Sequence, residues 1–145
     1  MSEAFVYSQE QMLLLTESMI NYLDEWKLSP EQIINILGLP ESTKSRHLQQ
    51  YRNMSKALPQ TDNTMKRIEH IRGIADALRT TFPFSNQMRY LWLRKPHRRF
   101  SRQRPLEVIL NDGLDGLVRV RMEVDCSYGW SISEAMREAS EAKSQ

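Results

Sequence analysis

An all-α fold is what this chain of 145 residues predicts, and three observations point to it. Apolar residues recur at three- and four-residue spacing, as in Met12, Leu15, Met19, Tyr22, Leu23 and Trp26. That spacing lines one face of a helix, and the face must be buried against another element. Such runs open on capping signals: Ser8 with Gln11, Ser29-Pro30 with Gln32, and Ser85. A serine before the first turn can accept from a free N–H, and a glutamine three residues on can answer it. The runs are separated by helix breakers, namely Gly38, Pro40, Pro83 and Asp112-Gly113.

The first helix is expected to start after Ser8 and to run to Trp26. A short apolar helix follows, opened by Ser29 with Pro30 at its first position and carrying Ile33, Ile34, Ile36 and Leu37. Gly38 should end it, because a left-handed C-terminal residue costs glycine little. Leu39-Pro40 re-aims the chain into a polar helix expected over about 41–52. A longer helix is expected over 63–79, with Met65, Ile68, Ile71, Ile74, Ala75 and Leu78 inside, and Thr80-Thr81-Phe82-Pro83 stops it. Ser85 caps a helix through Leu93. Segments 105–110 and 114–125 read as two more, although Val118, Val120 and Val124 also suit a strand. The end, SISEAMREASEAKSQ, has a cap in Ser131 or Ser133 and is polar enough to fray or to fold only on a partner.

The chain suits one domain or two small packed modules and can bury a core without staples. With 40% hydrophobic and 26% charged residues, it has the composition of a soluble globular protein. No apolar run is long enough for a bilayer, and the acidic start MSEAFVYSQE is not a secretory signal. A lone Cys126 allows no internal disulfide and reads as a buried structural cysteine in a reducing compartment. A cytoplasmic bacterial protein with no membrane partner is the expectation. His47, His70 and His97 are far apart and offer no zinc pattern. No phosphate loop or nucleophile motif is present, and Asp112 to Gly116 lacks the ligands of a calcium loop. The reading is a non-enzyme without metal or cofactor.

Charge is distributed unevenly. Met1 to Trp26 carries Glu3, Glu10, Glu17, Asp24 and Glu25 and no Lys or Arg. From Thr43 to Arg104 the chain is strongly basic, opposed only by Asp62, Glu69 and Asp76. Such a positive middle points to phosphate. Within it, LSPEQIINILGLPESTKSRHLQQYR has the order of a helix-turn-helix: a short apolar helix, a glycine turn, and a polar helix for the major groove. The exposed residues of the second helix and its start would be Ser42, Thr43, Lys44, Arg46, Gln49, Gln50 and Arg52. Arg and Gln can bond guanine and adenine bidentately, whereas Ser, Thr and Lys more often hold phosphate. Only Leu48 and Tyr51 of this helix look inward; a helical hairpin with a solvated second helix shares the same pattern.

The last third carries a series of landmarks in order: Trp92-Leu93, Pro96, Phe100, Pro105-Leu106, Asp112-Gly113 and Tyr128-Gly129. This order resembles the C-terminal toxin-binding domain of the Xre/ParS/MbcA group of bacterial antitoxins. The resemblance implies an N-terminal Xre-like helix-turn-helix domain over 1–82, a small helical toxin-binding domain over 83–130, and a polar tail over 131–145. It also implies a homodimer that represses its own operon at operator DNA and a cognate toxin, commonly an NAD-consuming RES-domain enzyme, blocked by direct binding. The expected toxin-binding residues are Arg94, Lys95, His97, Arg98, Arg99, Arg102 and Arg104 of the basic loop, with Tyr128 and Trp130. Arginines can hold acidic toxin residues by paired hydrogen bonds, and the same loop suits DNA phosphate. The loop departs from the family pattern in having Ser101-Arg102-Gln103 where a glycine often precedes Pro-Leu. A regulator whose C-terminal domain only dimerises, and an adaptor, are the alternatives to an antitoxin.

Overall fold

The computed structural model describes residues 6–143, with side chains through Asp125. Its elements are α1 (Gln9–Glu25), α2 (Pro30–Leu37), α3 (Ser45–Arg52), α4 (Asp62–Thr81), α5 (Asn86–Arg94), a 3-10 turn (Arg98–Phe100) and α6 (Pro105–Lys143). There is no strand among the described residues.

The capping signals act as their chemistry requires. Ser8 Oγ accepts from Gln11 N at 3.2 Å, and Gln11 Oε1 accepts from Ser8 N at 2.9 Å. Ser29 and Gln32 repeat this reciprocal pair at 3.2 and 2.9 Å. Gly38 closes α2 with φ 64°. Ser85 Oγ accepts from Met88 N at 3.1 Å and opens α5.

Three expectations change. The polar helix begins at Ser45, not near residue 41. Thr43 N donates to the Pro40 carbonyl at 2.9 Å, which closes a turn over 40–43 before any helix forms. His47 Nδ1 then accepts from Lys44 N at 2.8 Å and takes the reciprocal place that Gln holds in α1 and α2. Segments 105–110 and 114–125 are, as expected, two helical limbs that meet at the non-helical Gly113, but neither Ser131 nor Ser133 caps a new helix: the second limb of α6 runs through both. The strand reading of Val118, Val120 and Val124 fails as well. Leu117, Val120 and Val124 are buried together at helical spacing, and this apolar face outweighs β-branching.

The kink depends on two glycines. Gly113 has φ 61° and ψ −128°, a conformation that side chains strain against. A Cβ on Gly116 would stand 2.2 Å from the Val108 carbonyl oxygen, so the second limb of α6 can press on the first only without one. Arg67 of α4 sits beside this kink. Its Nη1 donates to the Asn35 and Ile36 carbonyls at 3.2 and 3.4 Å, at the open end of α2.

One apolar cluster runs from Met12 to Val124. Trp26, Ile33, Leu48, Ile71, Leu93 and Leu117 are all buried in it, so every helix from α1 to α6 contributes. The acidic start of the chain and its basic middle meet along the edge of this cluster. Arg52 pairs with Asp24 at 2.7 Å. Arg89, only 7% exposed, pairs with Glu25 at 2.7 Å and donates to the Phe82 carbonyl at 2.6 Å and to Asn86. Arg79 completes the group, 3.9 Å from Glu25.

These adjacent carboxylates test how burial sets the strength of an ion pair. Removing one partner of a buried pair strands the other charge and costs about 3–5 kcal/mol. An exposed pair is worth about 0–1 kcal/mol. Arg89→Ala should therefore lower the free energy of unfolding in urea by about 3 kcal/mol or more. Arg52→Ala, removing a pair whose side chains are 34% and 41% exposed, should cost under about 1 kcal/mol. Equal losses in the two variants would contradict this division.

Candidate functional site

Two surfaces carry the residues singled out by sequence. The first is the outer side of α3. Arg46, Gln49 and Gln50 are exposed and share one helix face at three- and four-residue spacing, while Leu48 and Tyr51 point into the core. Burial pushes the Tyr51 phenol up from its ordinary value. Ser42, Thr43 and Lys44 lie in the turn ahead of the helix. Arg52 is held on another flank by Asp24, whose hydrogen bond pushes its pKa up from the ordinary value. The connection between α2 and α3 covers residues 38–44, longer than the turn of about three to four residues in a compact helix-turn-helix.

The second surface is the loop after α5. Its backbone closes on itself: His97 N donates to the Gln103 carbonyl at 3.1 Å, and Arg102 N donates to the His97 carbonyl at 3.0 Å. Ser101 and Arg102 have φ 53° and 66°, the left-handed conformation that the missing glycine would adopt freely. Three aromatic rings brace the loop from below. His97 packs on Trp92 at 4.7 Å and meets Phe100 edge-on at 6.2 Å. One ring nitrogen of His97, Nε2, stands 3.0 Å from the Trp92 carbonyl. Buried Phe100 anchors the 3-10 turn.

This geometry divides the basic residues into two groups. Arg94 and His97 are structural. Arg94 donates to the Lys27 carbonyl at 3.2 Å and lies 4.1 Å over the Tyr90 ring. Lys95, Arg98, Arg99, Arg102 and Arg104 are exposed. Arg99 reaches Glu123 at 3.4 Å and Arg104 reaches Glu107 at 3.5 Å, both loosely enough to exchange partners. Tyr128, Trp130 and Cys126 fall outside the described side chains.

Similarity to known proteins places a boundary on this surface. Residues 77–126 match the antitoxin Xre/MbcA/ParS C-terminal toxin-binding domain. This segment is similar to the toxin-binding domain of these antitoxins. The match opens inside α4, before the residue 83 expected from the landmarks, and it covers α5, the basic loop and the kink of α6. The uncharacterized protein y4oB of Sinorhizobium fredii (strain NBRC 101917 / NGR234) is 29% identical over 114 residues, spanning 78% of this chain and 83% of that one. Among the described residues, no His, Cys, Asp and Glu group of three or more is arranged to hold a metal ion. No helix there is long and apolar enough to cross a membrane.

Three arginines are engaged inside the fold in ways the sequence does not show. Arg67, Arg89 and Arg121 sit in the basic middle or just past it, and composition treats them as free charge. In the fold, Arg121 lies across Gly73, and its Nη1 stands 3.2 Å from His70 Nδ1. Burial, and then the Arg121 charge, hold the His70 imidazole below its ordinary value. The glycine in α4 is the signal, since it leaves room for a side chain from another helix.

The strained loop after α5 has a measurable consequence. Relieving φ at Arg102 with glycine gains about 1–2 kcal/mol and forfeits about 0.5–1 kcal/mol of unfolded-chain entropy. Arg102→Gly should therefore raise the urea midpoint, by about 0.5–1 kcal/mol of stability. A lower midpoint would mean that the left-handed residue is not strained.

Proposed function

We propose that this protein is the antitoxin of a type II toxin–antitoxin system. It neutralises its toxin by direct binding and represses its own operon through α2 and α3. The match over 77–126 carries the first half of this reading. The exposed cations on the braced loop supply the chemistry. Lys95, Arg98, Arg99, Arg102 and Arg104 present guanidinium and ammonium donors that suit a carboxylate-lined toxin surface. The toxin of the proposal is a RES-domain enzyme that consumes NAD, and the antitoxin acts by covering its entrance, not by chemistry of its own.

The second half rests on α3. Arg46, Gln49 and Gln50 have the donor and acceptor groups for base edges, while Ser42, Thr43 and Lys44 in the preceding turn suit phosphate. Arg52 contributes less than its sequence position suggests, because Asp24 already holds it. A homodimer would place two such helices on a two-fold operator.

Co-expression with the product of the adjacent reading frame tests the toxin half. Wild-type protein should restore growth, and Arg98→Glu/Arg99→Glu should abolish the rescue, as should deletion of everything after Gly129. Normal rescue by both variants would remove these segments from the toxin contact. For the DNA half, Arg46→Ala should weaken binding to the protein's own promoter by about 1–3 kcal/mol if it bonds a base. If it contacts phosphate, the loss should be uniform across sequences and shrink the salt dependence. An unchanged gel shift would remove Arg46 from the interface.

A further inference from the structure

The chain doubles back at the end of α3. Met54 has φ 61°, and Ser55 N and Lys56 N both donate to the Gln50 carbonyl, at 3.0 and 3.3 Å. The reversal brings Lys56 to a pocket that it lines together with Ser42 and Thr43 of the turn before α3 and with His47 and Tyr51 of α3 itself. The other walls, Pro40, Ala57 and Pro59, are apolar, and among the described residues no carboxylate lines the pocket. Glu41, in the same turn, is exposed and is not part of the lining.

The polar side chains of this lining are donors that the fold does not use. Among the described residues Lys56 has no ion-pair partner, and the Ser42 and Thr43 hydroxyls make no hydrogen bond. His47 Nδ1 accepts from Lys44 N at 2.8 Å, so the neutral ring carries its proton on Nε2 and donates from there. Tyr51 is only 4% exposed, and its hydroxyl has no partner among the described residues. Buried hydroxyls are ordinarily hydrogen-bonded, which makes this one an exception that calls for a ligand. Burial pushes its pKa up, so it stays protonated and remains a donor.

Donors from three segments thus meet where no acid competes for them. A carboxylate offers two oxygens to such a set, whereas a phosphate group offers more acceptors and a stronger charge. We propose that this pocket seats one phosphate group, with Lys56 supplying the charge and Ser42, Thr43, His47 Nε2 and Tyr51 the hydrogen bonds. His47 and Tyr51 stand four residues apart and form the flank of α3 next to the exposed face of Arg46 and Gln50. The phosphate is therefore either one of a duplex backbone lying along that face or a free phosphate. The first source rests on the operator reading above and adds to it a contact from beyond the helix, Lys56, and a buried one, Tyr51.

The test uses the full chain with inorganic phosphate and with a labelled duplex of the protein's own promoter. Lys56→Gln removes an exposed charge, and Tyr51→Phe removes only a hydroxyl with no internal partner. Both variants should keep the wild-type helix signal and at least the wild-type urea midpoint in chloride. Exchanging chloride for about 50 mM phosphate at equal ionic strength should raise the thermal midpoint of the wild type by about 2 °C more than that of either variant. A general salt effect would raise all three equally. On the duplex, Lys56→Gln should weaken binding about tenfold, on promoter and unrelated sequence alike, and lower the salt slope by about one. Tyr51→Phe should weaken it about threefold or more. Losses on the duplex alone assign the pocket to a backbone phosphate, and loss of the phosphate effect alone assigns it to a free phosphate. Wild-type behaviour of Tyr51→Phe in both assays would overturn the pocket, whatever Lys56→Gln does, because a surface charge alone is not a seat. If the wild type itself does not bind the duplex, the operator reading falls, and the pocket then stands or falls on the phosphate midpoints.

Discussion

The end of α1 pins the molecule together. Asp24 and Glu25 are neighbours in sequence but face different helices. Asp24 holds the last residue of α3, and Glu25 holds Arg89 of α5 and approaches Arg79 of α4. Two residues further on, the Lys27 carbonyl accepts from Arg94, and Lys27 Nζ lies 5.1 Å from the Tyr90 ring that Arg94 also covers. The α3 surface and the segment over 77–126 therefore share one fixed point. A helix end is suited to this, because the last carbonyls of α1 lack intrahelical partners and its chain direction changes there. The left-handed Lys27, with φ 57°, is the cost of turning the carbonyl toward Arg94.

A second constraint acts from the other side, where α6 bends. Gly113 supplies the backbone angle and Gly116 supplies the close approach to Val108. Arg67 fills the angle between α2, α4 and this bend and satisfies carbonyls at the end of α2. Between the two fixed points the core is continuous. Modules that share a core in this way move as one body unless core contacts break.

Local signals are legible in the sequence, and long-range ones are not. Ser8, Ser29, Gly38 and Ser85 act within a few residues of themselves, and each does what its side-chain chemistry demands. The inward residues of α4 follow from helical spacing. The start of α3 is hidden because Pro40 and Thr43 close a turn that competes with the helix. The break at Asp112-Gly113 is legible, since Gly113 is non-helical and divides α6 into two limbs, but the close approach of Gly116 to Val108 is not. Of the basic loop, the positions are legible, but the locking of Arg94 by Lys27 and of His97 by Trp92 is not. Those partners come from packing, which composition does not encode.

The positive middle of the chain illustrates why charge counts mislead. Sequence alone sets about fifteen cations against three carboxylates and assigns the excess to nucleic acid, an order-of-magnitude argument about fields. In the fold, Arg52, Arg79 and Arg89 turn toward the acids of α1, and Arg67 turns toward backbone carbonyls. Part of the separation of charge along the chain thus serves to join its first helix to its middle. Of the cations that stay exposed, one group lies beside α3, one on the loop after α5, and Lys66 and Arg72 on α4. A cation already bonded to a buried acid must break that bond before it can serve a partner, and the cost exceeds what one surface contact returns. An interface on this protein therefore draws on the cations the fold leaves exposed, which after α5 are Lys95, Arg98, Arg99, Arg102 and Arg104 and not the engaged Arg89 and Arg94.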